Sequence, residues 1–564
     1  TAFGAPVFGL DADGGYDPTK LELGSAGGTE FANWLAERQG DAIALHCGNN
    51  RLSFREIQSA SRNVALWLTR KLGLIQGDRV LIRLPNDVHL PVVMFAVMRA
   101  GLVPVLISSA ARAQEVERIL LETQAKATIS LPQTAEHLEF LKQMATPPKV
   151  VFVGVWDFGN FIERRVARWS VPLRRSIKGM NIHWLSEAID YDRGSLHAWP
   201  RIDTQDLALI QYTSGTTSAS KGVEMTHDNL LANMQQLAEC MSRAGSSRQE
   251  RMLISLPLYY SYPLILMLTN WMRGGEVALV TNVRDTALIA EQFDRFDPQV
   301  FVGINAVFLA LCQDPLFPQL SFRNLQYTIC GGAALNERVA DRWMLITGSR
   351  IAQGYGLTEA APVVTFDINM HGRSGNLGKP LYQTQVRIVD EEGESLPANS
   401  NGEIQVKGPQ VMRGYVCQAE RGLFPFTPDG WLRTGDIGRL TSEGELFLIE
   451  RYSEVIRVPG FRVYPSELEA IVGKHPSVLE CAVIGLPTEM GLQKIKLFVV
   501  TNDRRLTQRQ MREYCRQRLT RYKVPELVEF RTTLPHSPSG RLLRERLVRE
   551  SVGESQVGEQ SALG

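Results

Sequence analysis

Between Tyr212 and Gly222 the chain reads Tyr-Thr-Ser-Gly-Thr-Thr-Ser-Ala-Ser-Lys-Gly, and every residue from Thr213 to Ala219 is small or hydroxylated. Small side chains let backbone N–H groups close around a phosphate, hydroxyls add donors, and Lys221 adds a point charge. It is not a Walker A loop, which needs Gly, then Lys, then Ser or Thr; here Ser220 precedes Lys221 and Gly222 follows it. Taken alone, the stretch reads equally well as a flexible Ser/Thr linker.

Other segments remove that ambiguity. Gly354-Tyr-Gly-Leu-Thr-Glu359, Gly435-Asp436, Arg451 through Gly460-Phe-Arg-Val-Tyr-Pro465, and Ser539-Gly-Arg-Leu542 follow in order. With the Thr213–Lys221 loop they resemble the signatures of the adenylate-forming superfamily of acyl-CoA synthetases, peptide-synthetase adenylation domains and luciferases. The resemblance covers roughly residues 30–550. Lys407-Gly-Pro-Gln-Val-Met412 and Tyr522-Lys-Val-Pro525 look most like bacterial long-chain fatty acyl-CoA ligases.

The resemblance implies that a carboxylate attacks the α-phosphate of ATP, pyrophosphate leaves, and the thiol of coenzyme A then displaces AMP. Charge gathers in the transition state, so catalysis is mostly positioning and neutralisation. The resemblance assigns Thr213, Ser214, Gly215, Thr216, Thr217 and Lys221 to the β- and γ-phosphates. It assigns Thr358 to the α-phosphate and Glu359 to Mg²⁺, a hard cation suited to oxygen ligands. It assigns Gly331, Gly332, Ala333 and Tyr355 to the adenine pocket, where glycines admit backbone and a Tyr face can stack, and counts Gly354 and Gly356 of the second signature among the cofactor-binding residues. Asp436 would grip the ribose hydroxyls, and Arg451 the ribose or phosphate. Gly460, Phe461 and Arg462 would line the pantetheine tunnel. Arg541 stands at the C-terminal catalytic position.

Several motif positions depart from the family pattern. Arg541 replaces the usual Lys, and a planar guanidinium is not a conservative exchange at a tight site. Tyr260 replaces a His, Ser453 a hinge Lys or Asp, and Gln493 a Glu; Ser218 and Ser220 replace a Gly and a Pro of the phosphate loop. The leading expectation is a ligase for a medium- or long-chain fatty acid. The alternatives are a carrier-protein acceptor or a specialised or aromatic acid, and a catalytically degenerate acyl- or nucleotide-binding regulator.

These residues need elements to hold them. Ile57, Val64, Leu66 and Leu68 recur at helical spacing over Leu52–Leu72. A strand over Arg79–Leu84, a helix over Leu90–Arg99 and a strand over Val103–Ile107 follow, and this rhythm predicts α/β architecture with largely parallel sheets. Residues 1–28 read as a loose arm, 29–450 as a large N-terminal domain, 451–550 as a small α+β domain and 551–564 as a flexible polar tail. The resemblance adds a distorted β-barrel to the N-terminal domain and mobility to the C-terminal one. The acyl tail needs an apolar pocket. Candidates are Leu258–Leu268, Val302–Leu309 and Ala360–Val364, each of which could equally be core.

The 564 residues carry 44% hydrophobic side chains, enough for a sizeable core, and a net charge of +1, which argues against a general nucleic-acid binder. Seven cysteines with no CxxC pair argue against a disulfide framework and fit a reducing, cytoplasmic compartment. Residues 156–180 interleave six basic residues with aromatics, which reads either as a contact with the anionic inner face of a membrane or as a solvated insertion. No stretch reads as a transmembrane helix or secretory signal. The resemblance is compatible with a homodimer.

Overall fold

The computed structural model describes residues 40–154, 157–158, 180–191, 199–213, 220–243, 249–282, 285–332, 335–367, 375–417, 424–451, 454–458, 461–488, 493–503, 505–537 and 542–561. Two large sheets organise the chain up to Tyr415. The first has nine strands: β1 (Ile43–Cys47), β2 (Asn50–Ser53), β10 (Arg251–Ile254), β11 (Glu276–Leu279), β12 (Val300–Gly303), β13 (Tyr327–Cys330), β14 (Ile351–Gly356), β15 (Val363–Phe366) and β16 (Lys379–Pro380). The second has eight: β3 (Arg79–Arg83), β4 (Val103–Leu106), β5 (Ala127–Ser130), β6 (Lys149–Phe152), β7 (Ile182–Trp184), β8 (Leu207–Tyr212), β9 (Gly222–Thr226) and β19 (Gly414–Tyr415), in the order β19-β9-β8-β4-β3-β5-β6-β7. The helices in this part of the chain are α1 (Phe54–Arg70), α2 (His89–Arg99), α3 (Ala113–Thr123), α4 (His227–Arg243), α5 (Ser261–Met272), α6 (Thr286–Phe296), α7 (Asn305–Gln313) and α8 (Glu337–Thr347).

The burial of β3 shows why these strands read as apolar runs. Val80 and Ile82 enter the central core with α2, α4 and α5, whereas Leu81 enters an outer core with Val116, Ile119 and Leu120 of α3. A parallel sheet buried on both faces needs apolar side chains at successive positions. α1 begins with a capping box: Ser53 accepts from the Glu56 N–H at 3.2 Å and Glu56 accepts from the Ser53 N–H at 2.8 Å.

A third sheet is antiparallel, in the order β17 (Gln385–Val389), β18 (Asn401–Lys407), β20 (Leu432–Leu440) and β21 (Leu446–Arg451). Where the resemblance implies a distorted barrel, the described residues form this four-stranded sheet, joined by a bridge between Asn376 and Phe447. Beyond it lie a short hairpin of β22 (Ile456–Val458) and β23 (Phe461–Val463), and a three-stranded sheet of β24 (Val478–Pro487), β25 (Gln493–Thr501) and β26 (Leu527–Arg531). Helices α9 (Pro465–Val472), α10 (Gln508–Arg516) and α11 (Arg544–Ser561) pack around them. Their apolar clusters contain no residue before Ile456.

Residues 551–561, expected to be a disordered tail, continue α11. The polar composition hid anchors at the start of that stretch: the Lys496 ammonium donates to the Ser551 hydroxyl at 3.0 Å, and Arg531 bonds Glu550 at 2.5 Å. All seven cysteines are free thiols. No helix among the described residues is long and apolar enough to cross a membrane. The arm and nearly all of the basic aromatic stretch 156–180 lie outside the described residues.

Candidate active site

The Ser/Thr-rich segment is the loop of a hairpin. β8 and β9 are antiparallel with Tyr212 opposite Gly222. The Thr213 N–H donates to the Lys221 carbonyl at 2.9 Å, and the Lys221 N–H donates to the Thr213 hydroxyl at 3.2 Å. These bonds close the neck, while residues 214–219, with Ser214, Gly215, Thr216 and Thr217, lie outside the described residues. Arg118 of α3 braces the neck from behind. Its guanidinium donates to the Ser220 hydroxyl at 2.6 Å and to Glu122 at 2.8 Å, and Glu122 also accepts from the Tyr212 phenol at 2.9 Å. Gly222 is closely packed here: a Cβ would sit 2.9 Å from the Tyr212 ring, which would have to shift.

The Gly354–Glu359 segment leaves β14 beside antiparallel β15. A Cβ at Gly356 would approach the Pro362 carbonyl to 2.4 Å, so the tight turn into the Thr358–Ala360 3₁₀ turn depends on glycine. The Ser261 hydroxyl, at the start of α5, donates to the Thr358 hydroxyl at 3.2 Å. The Glu359 carboxylate accepts from the Tyr415 phenol at 2.7 Å, and the Lys221 ammonium stands 5.1 Å from the centre of the same ring. Tyr415 reaches this place because β19 pairs with β9 just after Lys221, and because the Met412 N–H donates to the Glu359 carbonyl at 2.8 Å. Lys221 and Glu359 thus approach opposite parts of one aromatic residue rather than pairing with each other. Burial, and then the Glu359 charge, push the Tyr415 phenol far above its usual range, so it stays a donor.

Tyr355 and Asp436, expected at the base and ribose, are hydrogen-bonded at 2.7 Å with the phenol as donor. Arg451 is opposite Asp436 across β20 and β21, and its Nε lies 3.3 Å from the second carboxylate oxygen. Burial first, and then the Asp436 charge, raise the Tyr355 phenol pKa. Gly331 fits against the half-buried Tyr262 ring, which a Cβ would approach to 2.9 Å; Gly332 holds a φ of +77°; Ala333 lies outside the described residues. In the last hundred residues, exposed Phe461 stacks face to face on Tyr522 at 4.1 Å. Gly460, Ser453, Arg541 and the Arg462 side chain lie outside the described residues.

Of the three apolar segments, Leu264 and Leu268 of the first line a narrow apolar cavity between α2, α4 and α5, with Met94, Met98 and Met234. His227 closes it, held neutral because burial depresses its pKa to about 4. Val302–Leu309 and Ala360–Val364 do not line this cavity.

Where β21 ends, three carboxylates gather around one guanidinium. Arg544 bonds Glu454 at 2.7 Å and both oxygens of Glu469 at 2.7 and 2.8 Å. Buried Glu450 accepts from the Ser466 N–H at 2.8 Å and so caps the first turn of α9, whose own N-cap residue, Tyr464, supplies no side-chain bond. Burial, opposed by the Arg544 charge and reinforced by Glu469 and Glu454, pushes the Glu450 carboxyl up to about 7. The folded chain therefore keeps this proton where the unfolded chain has lost it, and stability falls as pH rises from about 4.5 through about 7. Glu450→Gln is expected to flatten that slope and to stabilise the fold at pH 8.5 by on the order of 2 kcal/mol. Melting curves at pH 5 and 8.5 check this; equal shifts at both values would refute it.

Tyr415, Ser261 and Arg118 were not singled out from the sequence. Tyr415 had a signal, since it closely follows the Lys407–Met412 segment. The Ser261 and Arg118 contacts span 97 and 102 residues and are invisible to local patterns.

Residues 32–416 match the model of the family described as AMP-binding enzyme, and residues 467–541 match that of the AMP-binding enzyme C-terminal domain. A long-chain-fatty-acid–CoA ligase of Escherichia coli O6:H1 is 35% identical over 514 residues, covering 89% of this chain and 91% of that protein. One from Bacillus subtilis is 30% identical over 529 residues, covering 93% of this chain and 94% of that protein. The crystal structure of the anthranilate CoA ligase AuaEII with anthranoyl-AMP has a TM-score of 0.83 at 22% identity, covering 96% of this chain and 99% of that one.

Proposed function

The chain belongs to the AMP-binding enzyme family and is an ATP-dependent acyl-CoA ligase, and we propose that the acid it activates is a medium- or long-chain fatty acid. The observation that carries the choice of acid is the course of α5. Ser261, at its start, touches Thr358, whereas Leu264 and Leu268 line the apolar cavity. Positions i, i+3 and i+7 share one helix face and span about 10 Å along the axis. A carboxylate held near Thr358 would leave its hydrocarbon tail running along that face toward the cavity, whose space of about 20 Å³ must widen to admit it. The names of the bacterial relatives support the same acid.

In this reading the phosphate loop and Lys221 draw the β- and γ-phosphates, and Thr358 orients the α-phosphate toward the acid. The acid carboxylate forms a bond to the α-phosphorus as pyrophosphate departs, and Arg541 offsets the charge gathered there. Glu359 suits Mg²⁺: it offers carboxylate oxygens, one of them bonded to Tyr415, and follows Thr358 in the chain. When bound, the ion would neutralise phosphate charge. Asp436 and Arg451 hold the ribose. Residues from 451 onward form a mobile domain that exchanges Arg541 for the Gly460–Arg462 segment, and coenzyme A then enters beside the Phe461–Tyr522 stack.

Incubation with ATP, Mg²⁺, coenzyme A and a panel of fatty and aromatic acids tests the reading. AMP and acyl-CoA should accumulate together, and fastest with fatty acids. Faster turnover of aromatic acids would overturn the choice of acid. Arg541→Lys is expected to raise the single-turnover rate of acyl-AMP formation by roughly tenfold, because a compact ammonium suits a tight bridge better than a planar fork. An unchanged or lower rate would show that the site is built for arginine.

A further inference from the structure

The second sheet, which also carries the phosphate-loop hairpin, contains a place that none of the adenylation residues occupies. Its strands run β4-β3-β5-β6-β7, so the chain passes from β3 to β4 on one side and then across to β5 on the other. The connecting helices take opposite faces: α2 packs into the central core and α3 into the outer one. Such a reversal of strand order opens a crevice at the carboxyl ends of the strands, where open α/β sheets bind ligands.

Arg83 is the last residue of β3, in register with Ser130, the last of β5, and its side chain is 1% exposed. Its Nη2 donates to the Ala111 carbonyl at 2.5 Å and to His137 Nδ1 at 2.6 Å. Its Nε and Nη1 are buried with no hydrogen-bond partner. Among the described residues no carboxylate forms an ion pair with it; Glu115 acts on it only through longer-range charge. Ala111 stands two residues before α3, and Arg112, the N-cap residue, makes no side-chain cap. The guanidinium therefore lies against the chain that enters an uncapped helix N-terminus, whose first turn carries one acid, Glu115; a cation and a helix N-terminus both favour negative charge.

We propose that Arg83 and the first turn of α3 form a second site, separate from the adenylation centre, for a small phosphate-class oxyanion. The ligand would take the free guanidinium N–H groups and the first-turn N–H groups, with half-buried His137 covering it. Unpaired buried donors on a cation are costly, and an oxyanion has lone pairs enough to satisfy them.

Calorimetric titration of the full chain with inorganic phosphate, and separately with adenosine 3′,5′-bisphosphate, tests this with a non-hydrolysable ATP analogue filling the adenylation centre. At least one ligand should bind, and Arg83→Met, which keeps the volume and removes the charge, should weaken it more than tenfold. The tighter ligand distinguishes a free anion from a nucleotide-borne phosphate. Arg83→Met should melt no lower than the parent without phosphate and should lose the phosphate-induced rise. If that variant fails to fold, Arg83→Lys and the phosphate response of the His137 ring signals carry the test. Absence of binding by both ligands, binding indifferent to residue 83, or an unmoved His137 signal would overturn the proposal.

Discussion

Glu359→Gln is expected to abolish most adenylation, lowering the rate of acyl-AMP formation by roughly 10³-fold, the scale seen when one charge-stabilising group is removed from a preorganised site. The fold should survive. A Gln oxygen can still accept from the Tyr415 phenol, which holds Glu359 at 2.7 Å. What is lost is the negative charge that would hold Mg²⁺ beside the phosphates. Rate and melting temperature separate these effects: a large rate loss with an unchanged melt supports the role, and a loss below about fivefold would exclude it. Tyr415 gives the argument a second handle. Its phenol holds Glu359 while its ring centre lies 5.1 Å from the Lys221 ammonium, so one residue contacts both charges.

Asp436→Ala should raise KM for ATP by about ten- to a hundredfold, because hydrogen bonds to a charged acceptor contribute about 1.5–3 kcal/mol each. It should also lower stability by about 2 kcal/mol, since the buried Tyr355 phenol loses its acceptor at 2.7 Å. The Arg451 contact adds less, because that side chain is 44% exposed and solvent screens it. Steady-state kinetics at saturating acid and a denaturant melt check both parts. A raised KM without destabilisation would place Asp436 in ribose binding alone, and destabilisation with unchanged KM would remove it from the nucleotide site.

Much of the candidate site was legible because its residues fall in short local runs. Thr213–Lys221, Gly354–Glu359 and the Gly435-Asp436 step are short runs marked by glycines or small residues. The strand–helix alternation around Arg79–Arg99 was legible because period and length both differ between the elements. What stayed hidden is set by register between distant segments. Nothing near Tyr415 indicates that β19 will lie against β9, and nothing near Glu450 that it will cap α9. Apolar runs were ambiguous for a related reason. Leu264 lines a cavity and Val302 fills a core, yet both are aliphatic side chains in buried elements. The helical end of α11 was missed because its anchors, Lys496 and Arg531, lie in strands.

The edge of the first sheet sets a schedule for synthesis. The hairpin of β1 and β2 finds its neighbour in β11, with Leu45 beside Val277 and His46 bonded to Glu276 across 230 residues. At a ribosomal rate of about 5–20 residues per second, that partner follows roughly ten to fifty seconds later. Throughout that interval the nascent chain carries an apolar strand whose edge has nothing to bond, and such edges recruit other strands. The β1–β2 hairpin therefore depends on being shielded while the chain is made, although none of its residues belongs to the candidate site.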